Sequence, residues 1–172
     1  MDFMNLAAQR YSVRKFKDTK VEAAVLEKIL AAGHLAPTGC NFQPQRILVL
    51  ESEEALTKLK GCTKCHFDAP LALLVCYNKE ECWTRKYDGK QSGEVDASIV
   101  TTHMMLAAWE LGVGSTWVMH FDPFAMREQF SVPENIEPVA LLVLGYPAED
   151  AVPFHMHGEF RPMDEVIVKE TF

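Results

Sequence analysis

Apolar positions at helical and strand spacing divide the chain into short elements. Over residues 21–33 the apolar side chains recur at i, i+1, i+4, i+5 and i+8, which is the stripe of an amphipathic helix. Pro37 and Gly39 end that helix, and a polar loop follows over residues 38–45. A shorter helix over residues 2–9 is expected to precede it.

The remaining apolar runs have the length of buried strands and are far too short to cross a bilayer. Helices and strands mix without a regular βαβ rhythm, which predicts one α+β domain over residues 1–172. We predict strands at Arg46–Leu50, Leu71–Tyr77, Ser115–Met119 and Val139–Gly145, and helices at Glu53–Lys60 and directly after Asp122-Pro123.

The most apolar predicted helix runs from Asp96 to Leu111, with Asp96 as its N-cap and Gly112 as its C-terminal stop. Apolar residues occupy nearly every face of this helix, so we expect it to be buried on several sides. Burial inside one chain and burial between two subunits explain the pattern equally well.

The tail over residues 148–172 has no strong helical period. It contains Arg161-Pro162 and an alternating run over residues 166–168 that suits an extended chain. We therefore predict an extended C-terminal arm that adds an edge strand to the sheet or embraces a partner.

Charge and cysteine content narrow the functional classes. A net charge of −7 and a pI of about 5.4 argue against a general binder of nucleic acid or of anionic membranes. Residues 10–20 are the exception, with five basic side chains and one acidic side chain. Such a segment either holds a single anionic group or is a solvated charged loop. Five cysteines without framework spacing, and a start without a signal-peptide pattern, favour the cytoplasm.

Two clusters carry side chains suited to a polar ligand. Arg10 and Arg14, four residues apart with a serine between them, can form charge-assisted hydrogen bonds with a phosphate. Residues 36–44 form a loop of small residues in which Asn41 and Gln43 offer amide donors and acceptors. Taken alone, that loop would be explained better by Asx turns.

A third cluster joins a helix end to a strand over residues 110–119, Glu-Leu-Gly-Val-Gly-Ser-Thr-Trp-Val-Met. Its Gly-x-Gly follows a helix, so it is not the dinucleotide-binding fingerprint, which follows a strand. Cys62, Cys65 and His66 have the spacing of part of a metal or redox motif, but the sequence lacks a second cysteine pair at a usable spacing.

The order and spacing of these clusters resemble the nitroreductase family. The matching motifs are Arg-x-Ser-x-Arg, Ala-Pro-Thr-x-x-Asn-x-Gln-Pro, Glu-Leu-Gly-x-Gly, Leu-Gly-Tyr-Pro and Arg-Pro-Met-Asp-Glu-Val. The resemblance implies an α+β fold with a central mixed or mostly antiparallel sheet flanked by helices, and an extended C-terminal arm. It also implies a homodimer with FMN at the subunit interface.

The activity implied by this resemblance is reduction of a small electron-poor acceptor, such as a nitroaromatic, a quinone or an enone, with NADH or NADPH as reductant. Hydride would pass through flavin N5 in a ping-pong cycle, without a catalytic protein nucleophile. Alternatives are a dehalogenase or an oxygen-using flavin enzyme of the same fold, a low-turnover FMN carrier or sensor, and a Cys/His metal module. The physiological acceptor stays open.

Carried over residue by residue, the resemblance assigns the FMN phosphate and ribityl chain to the basic segment and the tail. It assigns the flavin ring to the loop and to the end of the strand at 115–119. The implied contacts are Arg10, Tyr11, Ser12, Arg14, Pro37, Thr38, Gly39, Asn41, Gln43, Trp117, Val118, Met119, His120 and Arg161.

Some positions depart from the family's common pattern. Gln45 stands where relatives often have tryptophan, and Met119-His120 where many have glycine or an acidic residue. The lid over the flavin is expected to be reduced to Cys82–Gln91. Its aromatic and basic side chains, Trp83, Arg85 and Tyr87, either contact substrate or lie on an ordinary surface.

Overall fold

Four strands form one antiparallel sheet at the centre of the molecule. The computed structural model describes residues 2–172, and its strands are β1 (Gln45–Leu50), β2 (Leu71–Asn78), β3 (Gly114–Val118) and β4 (Ile136–Gly145). Their spatial order is β1-β2-β4-β3, and every neighbouring pair is antiparallel. All residues of β2 are buried, because this strand pairs along both edges and is covered on both faces. The α+β prediction is confirmed.

Helices cover both faces of this sheet. The helices among residues 2–172 are α1 (Phe3–Gln9), α2 (Ala23–His34), α3 (Glu53–Cys62), α4 (Gly93–Glu110), α5 (Pro123–Phe130) and α6 (Met163–Val166). Ser52 and Asp122 cap α3 and α5, because their side chains accept hydrogen bonds from the backbone N–H groups of Ala55 and Phe124 at 3.1 and 2.9 Å. None of these helices has the length and apolarity needed to cross a lipid bilayer.

Alternate side chains of the central strands serve two separate cores. Leu73 points toward α2 and α4, where Met104 fills the space beside Gly33. Leu74 and Leu141 point the other way, toward α3 and α5. Both faces of the central strands are therefore dry, which explains why these strands read as continuous apolar runs.

The start of α4 differs from the predicted one. The helix begins at Gly93, so Asp96 lies a turn inside it, only 2% exposed, and is not the N-cap. Glycine is unfavourable in a helix, so the local pattern gave no reason to extend the element to Gly93. In the fold the missing side chain makes room for the ring of Tyr77, which an added Cβ would overlap. Gly112, with φ of +78°, ends the helix as predicted.

Within residues 2–172 the tail adds no strand to the sheet of its own chain, so of the two roles predicted for this arm only contact with a partner stays a prediction. Residues 155–158 form a single 3₁₀ turn, and Val166 ends the short helix α6. The alternating run over residues 166–168 is exposed, and the edges of the sheet are formed by β1 and β3. The large apolar side chains exposed in the tail are Val152, Phe154, Met156, Phe160, Met163, Val166, Ile167, Val168 and Phe172.

Replacing Gly93 with alanine tests the packing at the start of α4. We expect Gly93→Ala to lower the free energy of unfolding by about 1–3 kcal/mol, because its Cβ displaces the buried ring of Tyr77. Gly61→Ala is the matched control, since Gly61 lies in α3 with open space around it. That variant should be about 0.4–1 kcal/mol more stable than wild type. Urea unfolding at one protein concentration measures both values, and equal effects would contradict the packing argument.

Candidate functional site

The basic segment runs extended beside β3. Ser12 forms a parallel bridge with Ser115, and the backbone N–H of Val13 donates to the Ser115 carbonyl at 3.0 Å. Val13 is fully buried, and its carbonyl accepts from Thr116 Oγ1 at 2.5 Å. Successive side chains of an extended chain point to opposite sides, so the even-numbered side chains of this segment lie opposite the buried side chain of Val13. Arg10, Ser12 and Arg14 therefore share one side, with Arg14 exposed and the other two partly exposed.

The charges of this segment are only partly neutralised. Lys15 forms an ion pair with Asp150 at 2.5 Å. Arg14 lies over the ring of Phe154, 5.5 Å from its centroid, and donates to the Ser12 carbonyl at 3.2 Å. Among residues 2–172, no carboxylate is within ion-pairing distance of the guanidinium groups of Arg10 and Arg14. Two cationic groups and a hydroxyl thus remain available to an anion.

Tyr11 joins this segment to the tail and to the C-terminal end of α4. Its hydroxyl donates to the Ala151 carbonyl at 3.2 Å, and its ring packs edge-on against Trp109, with centroids 5.1 Å apart. His157 lies on the same ring at 6.1 Å. Arg161 follows in the tail, 80% exposed at its side chain and 3.6 Å from Glu165. Its predicted contact with a phosphate stays a prediction.

The loop after Pro37 has an unusual backbone. Cys40, Asn41 and Gln43 have φ of 48°, 59° and 52°, a region that costs a non-glycine residue of the order of 1 kcal/mol or more. Hydrogen bonds hold this conformation, since Thr38 Oγ1 accepts from the Gln43 N–H at 3.0 Å and the Thr38 carbonyl accepts from the Asn41 N–H at 3.0 Å. The side chains of Asn41 and Gln43 are left exposed.

Asp96 anchors the start of this loop. Its Oδ1 accepts from the Gly39 N–H at 2.8 Å, and its Oδ2 accepts from Ser92 Oγ at 2.7 Å. As the predicted N-cap of α4, Asp96 was not expected to hold this loop. The sequence does indicate a buried contact for Asp96, since Ser92 precedes it by four positions and the helix around it is largely apolar.

The third cluster splits between the two faces of the sheet. Trp117 packs on the core beside α4, with an enclosed Nε1 that lacks a hydrogen-bond partner among residues 2–172. Val118 is 5% exposed in the opposite core, so its side chain cannot line the same surface as Trp117. Met119 is 71% exposed and His120 is exposed. Thr63 Oγ1 donates to the His120 carbonyl at 2.5 Å and fixes the backbone there.

The two polar clusters of one chain lie at opposite ends of α4. The basic segment meets Trp109 through Tyr11, and the loop meets Asp96 through Gly39. Thirteen residues separate Trp109 from Asp96, which is about 20 Å along a helix at about 1.5 Å per residue. A roughly spherical ligand pocket of about 300–1,000 Å³ is only about 8–12 Å across. One pocket within a single chain therefore does not unite the clusters.

The segment 82–91 is a short turn beside the loop. Thr84 and Gln91 form an antiparallel bridge, and an ion pair joins Arg85 to Asp88. Tyr87 is 98% exposed at the tip. Trp83 lies against Gly39, where an added Cβ would be 3.2 Å from the Trp83 Cβ. The base of this segment thus contacts the loop, although Arg85 is already paired.

The cysteine cluster has no metal-binding geometry. Among residues 2–172, no three His, Cys, Asp or Glu side chains converge as metal ligands, and all five cysteines are free. Burial, with a contribution from Asp122, raises the pKa of the Cys62 thiol, and burial raises that of Cys76 to about 12. These two thiols are poor nucleophiles, because the thiolate is disfavoured.

Comparisons with known proteins agree with the motif pattern. A family model described as the nitroreductase family matches residues 7–72 and 61–146. A crystal structure of a nitroreductase family protein from Clostridium difficile 630 has a TM-score of 0.94 to this chain at 46% sequence identity, with 100% of both chains covered.

Two further relatives carry functional names. A Methanothermobacter thermautotrophicus protein that carries the name NADH dehydrogenase/NAD(P)H nitroreductase is 31% identical over 157 residues, which are 87% of this chain and 80% of that protein. An FMN-dependent nitroreductase of Clostridium difficile R20291 has a TM-score of 0.81 at 27% identity, with 99% of this chain and 100% of the other covered.

Proposed function

This chain belongs to the nitroreductase family and is an oxidoreductase, and from that premise we propose that it is an FMN-dependent NAD(P)H oxidoreductase. Its acceptor would be a small electron-poor molecule, such as a nitroaromatic, a quinone or an enone. The names of two relatives support the cofactors, since one is called FMN-dependent and another an NAD(P)H nitroreductase.

The observation that carries the proposal is the donor set of the basic segment. Arg10, Ser12 and Arg14 project to one side of an extended segment, and the two guanidinium groups lack a carboxylate partner among residues 2–172. Planar guanidinium groups and a hydroxyl are the donors that phosphate oxygens require. The residues therefore fit the phosphate end of FMN.

The ring end of FMN would be held by a second copy of the chain. Two copies of α4 that pack antiparallel about a two-fold axis place the C-terminal end of one helix beside the N-terminal end of the other. The basic segment of one subunit then meets the partner's loop, which presents the amide groups of Asn41 and Gln43. This arrangement reconciles the separation of about 20 Å within one chain with a single cofactor site.

Two surfaces support a dimer. The first is a groove along the side of α4 that the sheet and α2 leave uncovered, and it is lined by Glu94, Val95, Ser98, Ile99, Thr102 and His103. The second is the tail, which exposes nine large apolar side chains. Together they are the surfaces that a partner subunit would cover.

Bound FMN would supply hydride transfer between NAD(P)H and the acceptor. The chain's own contribution is binding and orientation. Arg10, Ser12 and Arg14 would hold the phosphate, while Met119 and His120 would line the ring from the end of β3. The hydrogen bond from Thr63 keeps the backbone of that end fixed. No protein nucleophile is needed, in keeping with the raised pKa of Cys62.

The visible spectrum of the purified protein tests the proposed function. We expect a flavin spectrum, retained or restored on adding FMN, that bleaches with NADH or NADPH under anaerobic conditions. A quinone or nitroaromatic should then restore the colour. A protein that takes up no FMN would contradict the proposal. Bound FMN that neither nucleotide reduces would favour a carrier or sensor instead.

Arg14→Ala tests the phosphate end of the site. We expect the dissociation constant of FMN to rise at least tenfold, because a hydrogen bond to a charged group contributes about 1.5–3 kcal/mol and about 1.4 kcal/mol corresponds to a factor of ten. Lys20→Ala is the control, since it removes the same charge from the same segment at a position beside Glu51 and Pro70. Quenching of flavin fluorescence measures both. Equal losses would mean that general charge, not Arg14, holds the anion.

Thr102→Arg tests the subunit interface. In a two-fold interface the added charge appears twice, so we expect the dissociation constant of the dimer to rise at least tenfold and FMN to be released. Thr57→Arg makes the same change on the exposed side of α3 and should alter neither property. Sedimentation velocity with flavin absorbance reports both. A Thr102→Arg dimer that keeps its FMN would rule out this face as the interface.

A further inference from the structure

Asp96 is an acidic side chain in the core of the molecule. It is 2% exposed, within a helix whose neighbouring side chains are largely apolar. Among residues 2–172, no basic side chain is within ion-pairing distance of it. Burial of a carboxylate is costly unless hydrogen bonds satisfy it, and here the Gly39 N–H and the Ser92 hydroxyl do so. Its place near the N-terminus of α4 adds a favourable helix dipole.

These two hydrogen bonds join two segments that are distant in the sequence. Gly39 directly precedes the left-handed residues Cys40 and Asn41, and Ser92 directly follows the segment 82–91, where its N–H donates to the Trp83 carbonyl at 2.9 Å. The two segments also touch directly at Gly39. An added Cβ there would lie 2.9 Å from Ser92 Oγ and 3.2 Å from the Trp83 Cβ.

We propose that Asp96 is a positioning residue for the cofactor site, which fixes the loop 38–43 and the segment 82–91 in one arrangement. The expected effect on FMN binding rests on the proposed function. The junction itself, which is the pair of hydrogen bonds from Gly39 and Ser92 to Asp96, consists of contacts within the chain. Because the N–H groups of Gly39 and Gln43 are already used, the loop offers the exposed amide side chains of Asn41 and Gln43 to a ligand.

Two substitutions at Asp96 distinguish loss of its negative charge from loss of its hydrogen bonds. Asparagine can still accept from the Gly39 N–H through Oδ1, and its amide can donate to Ser92 Oγ once that hydroxyl rotates. Asp96→Asn should therefore keep the junction. Asp96→Ala removes both acceptors and leaves the Gly39 N–H without its partner. Ser92→Ala removes only the hydrogen bond between Ser92 and Asp96, so it still tests the junction if Asp96→Ala fails to fold.

The test combines amide hydrogen exchange at Gly39 with FMN affinity, both measured on the full-length protein. For Asp96→Ala we expect exchange at Gly39 to accelerate at least tenfold and the FMN dissociation constant to rise at least tenfold, with exchange in β2 and β4 unchanged. Ser92→Ala should lie between this variant and wild type. Asp96→Asn should stay within threefold of wild type in both measurements.

Thr101→Val is the control for general damage to α4. Thr101 is also fully buried in α4, but its hydroxyl donates to the Ala97 carbonyl within the helix. The inference is overturned if Thr101→Val weakens FMN binding as much as Asp96→Ala does. It is also overturned if Gly39 stays protected in both Asp96→Ala and Ser92→Ala. A wild-type protein without FMN affinity would instead defeat the proposed function, and Gly39 exchange would still decide the junction.

Discussion

Burial of α4 on several sides is the constraint on which the rest of the molecule depends. The sheet covers its inner side and α2 covers another, while a groove lined by Glu94, Val95, Ser98, Ile99, Thr102 and His103 runs along a third side. The basic segment meets one end through Tyr11 and Trp109, and the loop meets the other through Gly39 and Asp96. The length of one helix therefore sets the distance between the two polar clusters. A shorter or more polar helix would change both the core and the candidate site.

Features with a local cause could be predicted from the sequence. The strands β2 and β4 read as apolar runs because both of their faces are dry, and Gly112 ends α4 because glycine tolerates the left-handed backbone there. The basic motif was recognisable for a similar reason. In an extended chain, side chains two residues apart lie on the same side, so the spacing of Arg10, Ser12 and Arg14 already predicts that they face one ligand.

Features that arise from contacts between distant segments could not be predicted. Gly93 begins α4, and the ring of Tyr77 fills the space that a side chain there would occupy. Helix propensity depends on the local sequence and cannot predict a contact with so distant a residue. Trp117 and Val118 are neighbours in the third cluster, yet their side chains alternate along β3 and pack into opposite cores. The tail has alternating apolar residues, but alternation alone does not determine whether a segment pairs with a sheet edge. The sequence of one chain also does not specify which surface such residues cover.

The apolar tail has a consequence for the physical behaviour of the protein in solution. Large side chains such as Phe160 and Phe172 face water in the isolated chain, so whatever covers them stabilises the folded state. If a second copy covers them, the midpoint of heat denaturation depends on protein concentration, because assembly and folding become one equilibrium. The molecule would then be least stable when freshly synthesised and dilute, and its resistance to unfolding would follow its abundance in the cell.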